Sequence, residues 1–244
     1  MSERFDTAPA WYRLVLAARN AITVRTADLR RAPRPTPAAS PERNLTRSAV
    51  TGALISERMM PGTDVDASGL AHHVTRYVWA LPRVSGKGIV DLGCGTGYGS
   101  YLLSWSAKSV TGIDISEEAL AFARSHYADV RYEKADLNHL ATLPEGDVAV
   151  CFEVLEHLSD PQRVIDTALA AYPRALFSFP NPIWHNSQLN PHHVQDWPLS
   201  ACRRRFHAAG GTSIRLFSQS QRTGAIARGY RPLASVWLFD VSRG

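Results

Sequence analysis

The 244-residue sequence predicts an α/β fold in which a doubly wound, mostly parallel sheet is covered by helices on both faces. Apolar strand patterns alternate with helical patterns from Lys87 to Trp237. A glycine-rich turn follows the first predicted strand, and acidic residues end the next two. Regular alternation of strand and helix is typical of parallel strands joined by right-handed crossovers.

The individual elements follow from the apolar periodicity. A helical pattern begins at residue 66, before the first strand. The patterns that come next predict strands over residues 88–93, 109–114, 129–134, 147–152 and 174–179. They also predict helices near residues 98–106, 116–127, 161–171 and 199–209. Segments 212–218 and 233–241 are expected to pair antiparallel at the sheet edge, which gives seven strands.

Residues 1–48 are predicted to be an extension of the main domain, which we place at residues 49–244. Within the extension, residues 9–31 have the apolar spacing of an amphipathic helix. This helix could contact a membrane surface, mediate a homo-oligomer or pack against its own domain. The proline-rich stretch that follows predicts a linker.

Composition indicates a cytoplasmic protein without a transmembrane segment. The three cysteines are scattered, and no stretch has the pattern of a signal peptide. No apolar run approaches the roughly 20 residues that span a bilayer. The net charge of +5 permits an anionic partner but does not require one.

The turn VDLGCGTGYGS, residues 90–100, predicts a ligand site beyond the first strand. It does not fit a dinucleotide, because the third glycine of that fingerprint is replaced by Tyr98 when counted from Gly93. Asp91 would repel a pyrophosphate but suits a ligand with an amine. Asp114 ends the second strand, where a carboxylate can accept hydrogen bonds from ribose hydroxyls.

The motifs D-L-G-C-G-T-G, G-I-D-I-S and K-A-D-L together resemble those of class I S-adenosylmethionine-dependent methyltransferases, over roughly residues 66–180. The resemblance implies a Rossmann-like fold and S-adenosylmethionine as cofactor. It assigns the methionine portion to Asp91, Gly93, Gly95 and Gly97, the ribose to Asp114 and Ile115, and the adenine to Asp136 and Leu137. The segments ISERMMPGTD and HHVTRYVWA are similar to a lead-in of bacterial sugar-modifying methyltransferases. By that similarity Arg76 would pair with the cofactor's carboxylate; the alternative is a solvated helix arginine.

A second candidate site is the stretch CFEVLEH, residues 151–157. If a helix begins here, Glu153, Glu156 and His157 fall on one face and could hold a metal ion. Alternatively, the acidic residues only offset a helix macrodipole.

The pattern E-x-x-E-H, then P-N, then N-x-x-H-x-x-x-W resembles that of metal-dependent 2′-O-methyltransferases of small RNAs. The resemblance implies a magnesium or manganese ion held by Glu153, Glu156, His157 and His193. Two imidazoles in the ligand set favour manganese or another transition ion. In the metal-free alternative, His157 or His193 is a general base. His192 either faces solvent or accepts the proton.

These observations predict a metal-assisted O-methyltransferase that acts on a sugar hydroxyl of a glycan or a glycosylated metabolite, with a cis-diol as a natural substrate. RNA 2′-O-methylation is an alternative, although the sequence has no recognisable RNA-binding module. E-x-x-E-H also resembles the corresponding element of quinone-pathway O-methyltransferases, some of which bind a divalent ion there. A metal-free small-molecule or quinone-type O-methyltransferase is a further alternative. A binding protein without catalysis is disfavoured because all the motif residues are present.

Overall fold

The structure is a computed structural model that describes residues 67–185, 188, 190 and 192–244. The predicted N-terminal helix, the linker and the boundary at residue 49 all lie outside the described residues.

The strands confirm the predicted alternation. They are β1 (Gly88–Leu92), β2 (Ser109–Asp114), β3 (Arg131–Lys134), β4 (Val148–Cys151), β5 (Arg174–Pro180), β6 (Ser213–Ser220), β7 (Ile226–Arg228) and β8 (Ala234–Ser242). They form one sheet in the order β3-β2-β1-β4-β5-β8-β6-β7, in which β1 to β5 run parallel. The carboxyl ends of the five parallel strands therefore lie at one edge of the sheet, where ligands bind in folds of this kind.

Five α-helices are described, each close to its predicted position. They are α1 (Ala67–Val84), α2 (Tyr98–Ser104), α3 (Glu117–His126), α4 (Pro161–Ala171) and α5 (Leu199–Ala208). Helices α3 and α4 begin directly after an N-cap residue. The side chains of Ser116 and Asp160 each accept a hydrogen bond from a backbone N–H of the first helical turn. In the described part of the chain, no helix is long and apolar enough to cross a membrane.

Within the described residues the sheet has eight strands rather than the predicted seven. The predicted antiparallel pair of β6 and β8 is present, with β8 also antiparallel to β5. The additional strand is β7, whose three residues pair with Phe217–Gln219 and form the outer edge. A strand this short lacks a readable alternation, so the sequence pattern gave no sign of it.

The sheet is buried on both faces, which explains the continuous apolar runs of its central strands. Ile89 belongs to the core beneath α1, α2 and α3, whereas its neighbour Val90 belongs to the core beneath α4 and α5. Every residue of β1 and β4 is buried. The buried core thus fixes the carboxyl ends of these strands, and with them the side chains at the edge of the sheet where a ligand would bind.

An ion cluster lies toward the opposite end of the sheet, where the parallel strands begin. Asp240 on β8 is 2% exposed and accepts two hydrogen bonds from Arg174, of 2.8 and 2.7 Å. Arg215 and Arg83 also lie 3.2 and 3.5 Å from its Oδ2. One buried carboxylate therefore holds together α1, β5, β6 and β8.

Candidate active site

The glycine turn after β1 is fixed by the end of β2. The N–H groups of Gly93 and Cys94 donate to the carbonyl of Ile113 at 2.8 and 2.9 Å, and Gly95 N–H donates to Asp114 Oδ2 at 2.9 Å. Gly93 and Gly95 have φ values of 76° and 54°. Only glycine adopts such angles without steric cost, so the conformation of the turn requires glycine at both positions.

Gly97 is required for close packing as well as for its φ of 82°. A Cβ at this position would lie 2.6 Å from both Ala123 Cβ and the Tyr132 hydroxyl. Helix α2 begins directly after Gly97, where Ala123 of α3 and Tyr132 of β3 leave no room for a side chain.

Asp114 and Ile115, assigned to the ribose by the resemblance, lie at the end of β2 and directly after it. Asp114 is 7% exposed, and its Oδ1 accepts the N–H of Ser116 at 2.9 Å. Its carboxylate lies at the carboxyl end of β2, the edge of the sheet where ligands bind in folds of this kind. Ile115 beside it is 53% exposed and offers an apolar surface at the same edge.

Asp91 is fully buried beneath the turn. Ser100 Oγ donates to its Oδ2 at 2.6 Å, whereas Oδ1 has no hydrogen-bond partner among the described residues. Burial raises the pKa of Asp91 to about 7, against the opposing effect of the Ser100 hydrogen bond. A nearby ammonium group would favour the ionised form, which fits a ligand that carries an amine.

Asp136 and Leu137, assigned to the adenine, follow β3 at the same edge. Asp136 accepts the N–H of Asn138 at 2.9 Å and pairs with His139 Nδ1 at 2.7 Å. The hydrogen bond from His139 lowers the pKa of Asp136 below its usual value. Leu137 is 5% exposed and packs in the core, so any contact with a ligand would come from its backbone.

Arg76 is buried, which contradicts the solvated alternative. Its Nη1 donates to Gln219 Oε1 at 2.8 Å, and its Nη2 lies 3.6 Å from Glu153 Oε2. Its Nε is buried without a hydrogen-bond partner among the described residues. The guanidinium therefore has unused capacity to bind an anion.

Glu156, His157 and His193 form a cluster that could hold a metal ion, and one ligand atom from each lies within 4.8 Å of the others. Glu156 and His157 belong to a short 3-10 helix (Leu155–His157) after β4, whereas His193 lies in the loop after β5. We call these three residues the EHH cluster. The structure thus brings together three of the four predicted ligands.

A hydrogen bond orients the imidazole of His157 in the EHH cluster. His157 Nδ1 donates to the carbonyl of His192 at 2.9 Å, which leaves Nε2 as the ring nitrogen with a lone pair. That Nε2 lies 3.9 Å from Glu156 Oε1, and the rings of His157 and His193 are 5.0 Å apart. A backbone carbonyl that fixes the second nitrogen is a common feature around metal-binding histidines.

Two atoms of the EHH cluster are buried without a hydrogen-bond partner in the described part of the chain: Glu156 Oε2 and His193 Nδ1. Burial and the nearby Glu153 raise the pKa of Glu156 well above its usual value. Burial lowers the pKa of His193, and the neighbouring His157 lowers it further. The His193 imidazole is therefore neutral and can donate a lone pair to a metal. The residues fit a metal, because one ligand atom from each lies within 4.8 Å of the others and the cluster contains buried oxygen and nitrogen atoms that a cation could bind.

Glu153 was expected to be the fourth metal ligand, but it lies outside the EHH cluster. It precedes the 3-10 helix in a left-handed conformation, with φ of 54°, so it does not share a helix face with Glu156. Its Oε1 accepts Ser178 Oγ at 2.7 Å, and its N–H donates to the same hydroxyl at 2.8 Å. Its other oxygen faces Arg76.

The predicted proton acceptor His192 contributes its backbone to the site: its carbonyl binds His157 and its N–H donates to Asn190 Oδ1 at 3.0 Å. Sequence reasoning missed Ser178 and Gln219, which hold Glu153 and Arg76. Ser178 lies two residues before the P-N motif at the end of β5, and this proximity is the only local sequence signal for its role. Gln219 carries no motif, and its role depends on a contact across 143 residues.

Comparisons with known proteins find similarity to methyltransferases. Residues 89–176 match the family model described as a methyltransferase domain. A probable S-adenosylmethionine-dependent methyltransferase of Mycobacterium tuberculosis is 32% identical over 160 residues, which cover 62% of this chain and 58% of the relative. A ubiquinone biosynthesis O-methyltransferase of Pseudomonas entomophila is 42% identical over 98 residues, 37% of this chain and 42% of the relative.

Among solved structures, an S-adenosylmethionine-dependent methyltransferase from Mesorhizobium loti has a TM-score of 0.56 and 24% identity, and the match covers 70% of this chain and 98% of that one. The chain spans less than two thirds of the length of the first curated relatives. The fold is therefore that of class I S-adenosylmethionine-dependent methyltransferases.

Proposed function

We propose that the protein is an S-adenosylmethionine-dependent O-methyltransferase in which a divalent cation at the EHH cluster assists methylation of a sugar hydroxyl. The observation that carries the metal assignment is the pair of buried ligand atoms, Glu156 Oε2 and His193 Nδ1, without hydrogen-bond partners among the described residues. Leaving such atoms unsatisfied costs about 1–3 kcal/mol each, so the fold is stabilised by a cation that binds them.

Two groups of residues would have separate roles, one binding the cofactor and the other binding the metal ion. The glycine turn and Asp114 would orient the cofactor, which supplies the methyl group. Glu156, His157 and His193 would hold a divalent ion, which supplies Lewis acidity that makes an acceptor hydroxyl more nucleophilic. His192, which is exposed beside the cluster, is the proposed proton acceptor. Holding acceptor and methyl donor in one geometry is itself a large part of the rate enhancement.

The sugar assignment is supported by the lead-in segment and by the chemistry of the cluster. Three protein ligands leave coordination positions that two adjacent hydroxyls can occupy. The match to a ubiquinone biosynthesis O-methyltransferase favours a second candidate, a metal-free enzyme acting on a small aromatic hydroxyl. In that candidate His157 or His193 would act as the general base.

A transfer assay with tritiated S-adenosylmethionine separates the candidates. Sugars, oligosaccharides, RNA and small phenols would be tested as acceptors with manganese, with magnesium and with excess chelator. We expect transfer to a sugar diol that chelation abolishes, while cofactor binding stays measurable by calorimetry, since the glycine turn and Asp114 do not depend on the ion. Full turnover in excess chelator would refute the metal role.

A pair of variants tests the cluster directly. Glu156→Gln should weaken manganese binding by at least about ten-fold, because it removes an anionic ligand at an unchanged side-chain volume. Glu118→Gln makes the same change on the exposed side of α3 and should leave manganese binding unaltered. Equal manganese affinity in both variants would place the metal elsewhere.

A further inference from the structure

Arg76 and Glu153 form an ion pair between the two proposed sites. Their side chains are 3% and 19% exposed, and Nη2 and Oε2 are 3.6 Å apart. Glu153 follows β4 and is three residues from Glu156 in the EHH cluster. Arg76 lies on α1 next to Tyr77, which packs so closely on α2 that a Cβ at Gly99 would be 2.0 Å from Tyr77 Cζ. The pair thus links the glycine turn to the EHH cluster.

The Arg76 guanidinium is firmly anchored but incompletely paired. Gln219 accepts from its Nη1, and Gln219 is itself fixed by hydrogen bonds to the carbonyls of His72 and Gly224 at 2.9 and 3.0 Å. Its ion pair with Glu153 is too long for a good hydrogen bond, and its Nε has no partner among the described residues. A ligand carboxylate could bind here more closely than Glu153 does.

Glu153 is held by two partners outside the EHH cluster. Its Oε1 accepts a hydrogen bond from Ser178 Oγ at 2.7 Å, and its Oε2 lies 3.6 Å from Arg76 Nη2. Glu153 therefore lies beside the EHH cluster but is paired to Arg76.

The buried charge of Arg76 and the partly buried charge of Glu153 constrain each other. If Glu153 left Arg76 to bind a metal at the EHH cluster, Arg76 would remain as a buried cation without an anion, which is strongly unfavourable. A carboxylate bound to Arg76 would remove that penalty. We propose that Arg76 is a positioning residue: the carboxylate of S-adenosylmethionine replaces Glu153 on Arg76, and the released Glu153 joins the EHH cluster as a further metal ligand. Cofactor and divalent cation then bind with positive cooperativity. This inference rests on the proposed function.

Calorimetry with manganese on the full chain tests the coupling without turnover. Manganese would be titrated alone, with saturating S-adenosylhomocysteine, and with the decarboxylated form of that molecule. We expect the dissociation constant for manganese to fall about ten-fold with S-adenosylhomocysteine and less than about two-fold with the decarboxylated analogue. A merely structural role of Arg76 would not distinguish the two ligands. By reciprocity, manganese should tighten S-adenosylhomocysteine by the same factor.

Arg76→Gln should reduce the difference between the two ligands to less than about two-fold, since no cation then requires a carboxylate. Arg131→Gln is the charge-matched control, because Arg131 is 74% exposed and should retain the coupling. Equal effects of the two ligands on the native protein would overturn the inference but leave the metal site intact. Absence of manganese binding under every condition would overturn the proposed metal function together with the inference.

Discussion

The backbone carbonyl of Glu156 accepts a hydrogen bond of 2.8 Å from the N–H of Val194. A second one, of 3.2 Å, comes from the N–H of Gln195. These bonds attach the loop after β5 to the 3-10 helix after β4. His193 therefore lies beside Glu156 because backbone groups hold it there, and the EHH cluster is organised by the protein itself.

The side chain of Gln195 should control metal affinity through this loop. Its Nε2 donates to the Leu158 carbonyl at 3.1 Å, and its Oε1 accepts from Trp197 Nε1 at 3.0 Å. Gln195→Leu removes both bonds, each worth about 0.5–1.5 kcal/mol. We expect manganese affinity to fall about ten-fold by calorimetry, which is about 1.4 kcal/mol.

The matched control is Gln162→Leu on α4, where the glutamine also makes side-chain hydrogen bonds, to Asp166 and Arg205, but away from the EHH cluster. It should bind manganese as the native protein does. If Gln195→Leu kept native affinity, the loop would be positioned by other contacts, such as the stacking of Trp197 on Phe179 at 4.9 Å.

Asp91 should make the protein less stable as the pH rises. Its folded pKa of about 7 is above the usual value of 3.8, so its contribution to stability is fully present below pH 3.8 and is lost as the pH rises through 7. Asp91→Asn cannot ionise and should increase the free energy of unfolding at pH 8 by on the order of 2 kcal/mol, with a smaller gain at pH 5.

Urea denaturation of the cofactor-free protein at both pH values measures this difference. Asp129→Asn, which makes the same change at an exposed position, should behave as the native protein at both. A gain for Asp91→Asn that is equal at pH 5 and pH 8 would show that Asp91 does not titrate in this range.

The fold could be predicted from the sequence because its strands obey a simple physical rule. Parallel strands with both faces buried appear as continuous apolar runs, so β1, β2, β4 and β5 were located to within one or two residues. The acidic residues at the strand ends could be assigned because the turn geometry places them at one edge. Strand β7 was missed because a strand of three residues is too short to show an alternation of apolar and polar side chains.

The candidate site was less predictable, because its details depend on backbone angles and distant contacts. Glu153 was expected on the same helix face as Glu156, but a left-handed φ at a non-glycine residue cannot be read from spacing. The partner of Arg76 is Gln219, which is remote in sequence and belongs to no motif. Local patterns therefore identified the EHH residues but not the network that holds them.

The left-handed conformation of Glu153 gives a third prediction. A side chain at φ of 54° costs about 1–2 kcal/mol relative to glycine. Glu153→Gly and Glu153→Ala both remove the carboxylate, so the difference between them isolates the backbone. We expect the glycine variant to be about 1 kcal/mol more stable than the alanine variant in chemical denaturation. An alanine variant at least as stable as the glycine variant would mean that the chain relaxes out of this conformation.

Asp240 should be the most sensitive ionic position outside the site. Its buried carboxylate faces the guanidinium groups of Arg83, Arg174 and Arg215, so Asp240→Asn leaves three cations close together without an anion. Removing one partner from a buried ion cluster typically costs about 3–5 kcal/mol, and we expect a loss of about 3 kcal/mol in the free energy of unfolding.

A double-mutant cycle shows whether charge repulsion causes the loss at Asp240. Arg215 is the most exposed of the three arginines, with 47% of its side chain accessible, so Arg215→Gln alone should cost little. In the Asp240→Asn background, Arg215→Gln should instead recover about 1 kcal/mol, since it removes one repelling charge. High salt should reduce the deficit of the single Asp240→Asn variant for the same reason. Additive losses that do not respond to salt would indicate that the cost comes from lost hydrogen-bond geometry with Arg174 rather than from unpaired charge.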